Sequence, residues 1–397
     1  YAGYLHFPIR VVAWMATAFP LVWQPQVYAI AAIVISAASL TFVVRRASLI
    51  VPPIVAIGSF LLSWTNAELY GYLTNIQWFT GMAFGVLVLA PRQVGPKRPI
   101  RHLLIALALG LTGPFVILLV PMAFAILAVG LIGRVVKRDG WFATARDYAE
   151  SLDKFVLMGA FLAFLVQLGV LISGKGGAVP YLRPWLDLLE LVFLWQLPVH
   201  VLGGQPFLPM LAPVLLILLI TALLGGDRID RRARLTLLML FLFTLAIIVT
   251  AVASTSYMLT VSGEYHDRYF FSFRATIWWL IWGAIASNWS RSQASLTLSV
   301  MAVMLAWAVA NGSKLRRDLP WDAHWAKQVA MLARPGLHRV RVNRGLQWSF
   351  EIESMANGSL QAVSSPYWAR SRMPIGGDPY EMLGRSGNLE DGQVEGD

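Results

Sequence analysis

Apolar runs about as long as a bilayer is thick recur through the first 311 positions, and they constrain the fold more than any other feature. A membrane-crossing helix needs about 20 predominantly apolar residues. Segments of that character fall at about Gln24–Val44, Ala47–Trp64, Trp78–Ala90, 155–173, 207–224, 235–257, 268–287 and 295–311, after a partly amphipathic stretch over 3–19. Composition agrees, since 57% of the residues are hydrophobic and only 13% charged, whereas a soluble domain is about a quarter charged. The expected fold class is an all-α polytopic membrane protein, with about nine or ten transmembrane or half-membrane helices and a small C-terminal extramembrane appendage. Cysteine is absent, which removes disulfides, thiolate catalysis and Cys-ligated metals.

A net charge of +11 would suit a nucleic-acid partner if the charge were spread over one face. It is instead sorted by loop. Sixteen Lys/Arg lie in the loops around 45, 92–101, 134–154, 228–234 and 291, while the alternate loops at 64–76, 174–206 and 258–267 hold only Lys175 and Arg183. Such sorting orients spans across a membrane and makes the basic loops cytoplasmic, so no nucleic-acid partner is expected.

Residues 102–133 are too long for one straight crossing, and a single crossing would separate Arg98 and Arg101 from Arg134, Lys137 and Arg138. Gly110-Leu111-Thr112-Gly113-Pro114 resolves the conflict by predicting two short helices that fold back on themselves, with irregular backbone buried in protein or facing water. Within 174–206, Tyr181–Val201 alternates apolar and polar residues with prolines and aromatics, as an interfacial helix would. The expected organisation is a bundle over 1–311, an extracytoplasmic α/β appendage over 312–352, and a disordered tail over 353–397. The appendage comprises a helix near Trp321–Leu332 and strands at His338–Val342 and Gln347–Ile352. Tyr1 opens the sequence with neither an initiator Met nor a signal peptide, which predicts further chain upstream.

On the side away from the basic loops, residues 1–311 offer five carboxylates: Glu68, Asp187, Glu190, Glu264 and Asp267. The densest group is Glu264, His266, Asp267 and Arg268 at the mouth of a span. There an Arg fork can grip a lipid phosphate with two hydrogen bonds. Alternatively Arg268 snorkels to the interface and pairs with Asp267. Arg274 recurs nearly two turns further in. Glu68, Asn75 and Gln77, set among Tyr70, Tyr72 and Trp78, form a second candidate because amides and aromatic faces suit sugar hydroxyls; an interfacial belt with a solvated Glu68 explains the same residues. His6 and Arg10 form a third. No metal-ligand motif, P-loop or nucleophile elbow is present, so no metal and no cofactor is expected. Gly174-Lys175-Gly176-Gly177 reads as a flexible turn, and the Asn288, Asn311 and Asn357 sequons are short patterns.

Four motifs occur in a recognisable order: Gly3-Tyr4-Leu5-His6 with Pro8 and Arg10, then Leu73-Thr74-Asn75-Ile76-Gln77-Trp78, then Gly110-Leu111-Thr112-Gly113-Pro114-Phe115, then Arg268-Tyr269-Phe270. Over roughly residues 3–352 the chain resembles uncharacterised bacterial multispanning proteins related to the GT-C glycosyltransferases. The resemblance implies a multi-pass protein of the bacterial inner membrane, its C-terminus extracytoplasmic. It also implies membrane lipid and a polyprenyl-phosphate-linked sugar as partners, and transfer of that sugar to an envelope acceptor on the extracytoplasmic face. The catalytic acid of that class lies in the first extracytoplasmic loop, which places it upstream of Tyr1. The matched positions His6, Arg10, Glu68, Asn75, Gln77 and Arg268 are then supporting residues for lipid phosphate or sugar, joined by Glu264, His266 and Asp267 as Arg268's neighbours in the cluster. Two other classes stay open, a transporter or flippase for a lipid-linked or anionic substrate and a non-catalytic envelope subunit. The break at Gly110–Pro114 is the kind of discontinuity transporters use.

Overall fold

The computed structural model describes residues 5–62, 73–92, 98–136, 140–173, 185–197, 211–254, 267–290, 292–310, 325–341, 349–356 and 360–362. Among these the chain is an all-α membrane bundle with one small sheet, and it divides into two compact units, Tyr1–Asp318 and Leu319–Asp397.

The first unit contains α1 (Phe7–Ala16), α2 (Gln24–Ala47), α3 (Pro53–Leu61), α4 (Ile76–Leu89), α5 (Pro99–Gly110), α6 (Phe115–Val136), α7 (Trp141–Ser151) and α8 (Lys154–Ser173). They are followed by α9 (Trp185–Glu190), α10 (Leu211–Gly225), α11 (Arg231–Ser254), α12 (Phe271–Asn288) and α13 (Gln293–Ala310). Five helical segments are long and apolar enough to cross a membrane: Leu21–Ala47, Phe115–Val135, Lys154–Ser173, Arg231–Ala253 and Gln293–Ala310. Four shorter apolar helices accompany them. The core is built on α4, all of whose residues are buried, and on α12, where Phe271, Phe273, Trp279 and Leu280 are buried. Both are largely apolar, as helices packed within a bundle are, with Gln77 and Thr80 of α4 and Ser272, Arg274 and Thr276 of α12 among the buried polar exceptions.

Several elements depart from the sequence reading. The span expected over Ala47–Trp64 starts later, because Pro52 is held extended by the proline after it and Pro53 occupies the first helical turn; α3 ends at Leu61, and its continuation lies outside the described residues. The break at Gly110–Pro114 is present, but its arms are unequal: α5 has 12 residues and α6 has 22. Residues 134–154, read as a basic loop, contain α7. Its helix follows Gly140, whose φ of 82° suits a residue without Cβ, and its Ala145 and Ala149 sit against Gly130 of α6. The interfacial segment is helical from Trp185, continuing as a wider π turn over Leu191–Gln196, and Leu188, Leu191 and Val192 insert into the bundle core. Its expected flanks lie outside the described residues.

In the second unit, α14 (Trp325–Leu332) precedes a three-stranded antiparallel sheet of β1 (Gly336–Arg341), β2 (Ser349–Ser354) and β3 (Leu360–Ala362), in the order β1-β2-β3. Ser354 Oγ donates to Leu332 O at 2.7 Å and ties the sheet to the helix. β3 falls where a disordered tail was expected. Three residues carry too little pattern to read as a strand, and β3 is fixed by pairing Ile352 with Ala362.

Candidate functional site

One end of the bundle collects the basic residues. Arg46 at the end of α2 donates to Ala90 O at 3.1 Å, just past α4. Tyr148 of α7 donates to Leu89 O at 2.6 Å. Asp153 caps α8, accepting from the Phe155 amide at 2.9 Å, and also meets His102 Nδ1 of α5 at 2.6 Å and Arg92 Nε at 4.0 Å. Arg234 of α11 donates to Leu224 O and Gly226 O at the end of α10. Arg134 pairs with Glu150 at 3.0 Å. Through these contacts α5 begins and α6 ends at the same end, so the broken hairpin keeps Arg98, Arg101 and Arg134 together.

The break lies deeper. A Cβ at Gly110 would meet Ala163 Cβ at 2.6 Å, which puts the end of α5 halfway along α8. At 1.5 Å per residue, α4 runs about 20 Å from Ile76 to the basic end. Phe115 packs against Gly81, eight residues before the end of α4, and Gly113 against Gln77, twelve residues before it, so the break sits about 12–18 Å from the basic end.

Five separate chain segments meet there. Leu5 N–H donates to Gln167 Oε1 at 2.8 Å, and Gln167 Nε2 donates to Leu5 O at 2.9 Å and to Gly113 O at 3.4 Å. Phe7 N–H donates to Leu111 O at 3.1 Å, and the His6 ring hydrogen-bonds the Thr112 backbone. Thr80 Oγ1 of α4 donates to Thr112 Oγ1 at 3.0 Å. A Cβ on Gly113 would stand 3.1 Å from Gln77 Oε1. Trp78 meets Phe115 edge-on at 5.2 Å and Tyr269 edge-on at 4.9 Å, and Ser272 Oγ donates to Trp78 O at 3.5 Å. Segments 5–7, 75–80, 109–115 and 269–272 and Gln167 of α8 are therefore contiguous, although up to 267 positions separate their members.

Of the residues singled out in the sequence, His6 and Gln77 belong to this junction. Asn75 precedes α4 and is buried beside it. Arg10 is exposed on α1, one turn beyond His6. Asp267 and Arg268 lie on the turn Asp267–Phe270, directly before Tyr269, and their side chains lie outside the described residues. Glu68, Glu264 and His266 also lie outside them. Arg274 is buried and engaged within α12.

The structure adds Gln167, Thr80 and Thr112. Gln167 has no exposed surface and is the one strongly polar side chain inside Lys154–Ser173. A lone amide in a membrane span is a readable signal of an interhelical bond. Thr80 and Thr112 give no such signal, because a threonine can satisfy itself on the preceding turn, as both do here.

The arrangement offers neutral donors and acceptors about 12–18 Å from the basic end, where a hydroxyl-bearing group is admitted at far lower cost than an ion. Among the described residues no cluster of His, Asp or Glu is able to hold a metal ion. No protein-family model, curated protein or solved structure matches the chain.

Proposed function

We propose that the junction around the Gly110–Pro114 break handles the sugar end of a polyprenyl-phosphate sugar, and that the protein transfers this sugar to an envelope acceptor on the extracytoplasmic face of the bacterial inner membrane. In this reading the basic end is cytoplasmic and the C-terminal unit is outside. The observation that carries it is the gathering of His6, Gln77, Thr80, Thr112 and Gln167, from four distant stretches, at one level inside an apolar bundle. Transfer needs a carboxylate to deprotonate the acceptor hydroxyl and a cation at the departing phosphate. Arg268, on the turn that delivers Tyr269 to Trp78, is assigned the second role.

The transporter reading draws on the broken helix, whose freed carbonyls would line a substrate path. Here Leu109 O accepts from Thr112, Leu111 O from Phe7 and Gly113 O from Gln167, so the chain itself occupies those acceptors. That favours the enzyme.

The test is transfer from a polyprenyl-phosphate sugar by full-length protein, normalised to folded protein. Arg268→Gln is expected to lower transfer about 10- to 100-fold, since a hydrogen bond to a charged group is worth about 1.5–3 kcal/mol, and Arg268→Lys less. Wild-type transfer by Arg268→Gln would remove the phosphate role.

A further inference from the structure

Between α10 and α12, at the basic end, lies an open groove of about 330 Å³ lined by Leu219, Ala222, Ala284, Ile285, Asn288 and Trp289. A volume of that order falls within the range of small-molecule sites. Four of the six lining residues are aliphatic, and the two polar ones stand together at the end of α12. The amide of Asn288 is already committed, donating to Ala222 O at 2.8 Å and Ala284 O at 2.9 Å, so it braces the groove and is not a free sequon. The indole N–H of Trp289 is buried with no acceptor among the described residues.

The rim of this groove is charged. The Asp227 and Arg228 amides both donate to Ser287 O at 3.0 Å, which fixes Arg228 beside Asn288 and Trp289. Arg228 is exposed there and has one loose pairing, to Asp227 at 3.8 Å, and that carboxylate is itself open to water. An apolar groove opening beside an arginine at the end of a membrane bundle matches an acyl chain below an anionic headgroup. A second copy of the chain would bring its own arginine to the same rim.

We propose that this groove binds one acyl chain of an anionic glycerophospholipid, with Arg228 at its phosphate and Trp289 at the ester level. Basic pockets between membrane helices bind anionic lipid headgroups, which a lone Arg near the surface favours by a factor of about five. The site is separate from the junction around the break and does not depend on the glycosyltransferase reading.

The test is native mass spectrometry of the full chain released from nanodiscs of phosphatidylcholine and phosphatidylglycerol with matched acyl chains. Wild-type protein is expected to retain phosphatidylglycerol preferentially. Ala222→Phe fills the groove and should cut the retained lipid of either kind about tenfold. Arg228→Gln should leave the number of retained lipids unchanged and lower the preference for phosphatidylglycerol about fivefold. Equal retention and equal preference in both variants would overturn the site. So would a wild-type dimer that Ala222→Phe converts to monomer, since a second copy would then cover the groove. If Ala222→Phe fails to fold, Arg228→Gln decides alone, an unchanged preference sinking the proposal.

Discussion

The two ends of the broken hairpin α5–α6 are fastened by different chemistry. Where α5 begins and α6 ends, Asp153, His102, Arg92, Arg46 and Arg134 tie helix ends together with charge. Where α5 ends and α6 begins, Gln167, Thr80, Thr112 and the backbone of Leu5 and Phe7 do the same work without a formal charge. Depth explains the difference. Water solvates an incompletely paired ion at the basic end, whereas about 12–18 Å further in an ion would carry a large desolvation cost and an unpaired backbone group a smaller one. The neutral junction is therefore brittle, because each partner has a single substitute-free role. The charged end is redundant.

The largest expected effect follows from that brittleness. Gln167→Leu removes three hydrogen bonds and leaves Gly113 O, which is buried, and Leu5 N–H and Leu5 O, which are partly buried, without this partner. At about 1–3 kcal/mol for each orphaned group, a loss of about 3–5 kcal/mol is expected in thermal unfolding of the solubilised protein. A loss under about 1 kcal/mol would mean that this level is wet, as measured by the same melt.

Next comes the contact between α5 and α8. A Cβ at Gly159 would lie 2.3 Å from Leu103 O, a backbone atom that cannot step aside. Gly159→Leu should cost about 2–3 kcal/mol by forcing the helices apart, readable as a lowered Tm. An unchanged Tm would show that α5 is not docked as described.

These two positions also show what the sequence did and did not disclose. Long apolar spans such as α2, α8 and α11 were legible because hydropathy over about 20 residues is a local property, and the break was legible from Gly110, Gly113 and Pro114. The 11-residue α7 was hidden because Arg146, Asp147 and Glu150 make a short helix look like a charged loop. The meeting of His6, Gln77, Gly113 and Tyr269 was not legible from any local pattern; only the family resemblance set His6, Gln77 and Arg268 around one substrate. That meeting depends on helix docking across long sequence separations, and no local pattern encodes which loop lands on which.

At the charged end a smaller effect is expected, with a pH signature. Burial raises the Asp153 pKa, but hydrogen bonds from His102 and the amides of Phe155 and Val156 together hold it below the usual carboxylate value. A depressed pKa contributes stability that is present above the unfolded value, about 3.9, and is lost as pH falls through the folded one. Wild-type protein should thus lose this contribution only below about pH 4. Asp153→Asn, which keeps a capping oxygen, should lack about 1–2 kcal/mol at neutral pH and show a flatter acid profile, measured as Tm against pH. A neutral-pH Tm equal to wild type would show the carboxylate to be idle.

The smallest effect is at Arg134, whose pair with Glu150 is about half exposed on both sides. Arg134→Gln should change stability by less than about 0.5 kcal/mol. A loss above about 1 kcal/mol, in the same melts, would make the α6–α7 corner more than a solvated pair.

We propose that the neutral junction is the functional centre and the charged end a fastening. Comparing Gln77→Leu with Asp153→Asn in full-length protein, by transfer from a polyprenyl-phosphate sugar per folded molecule, tests it directly. The account predicts at least about a tenfold loss for Gln77→Leu, the cost of a lost hydrogen bond with its partner left buried, and near wild-type transfer for Asp153→Asn. Wild-type transfer by Gln77→Leu, or no transfer by the wild-type protein itself, would contradict it.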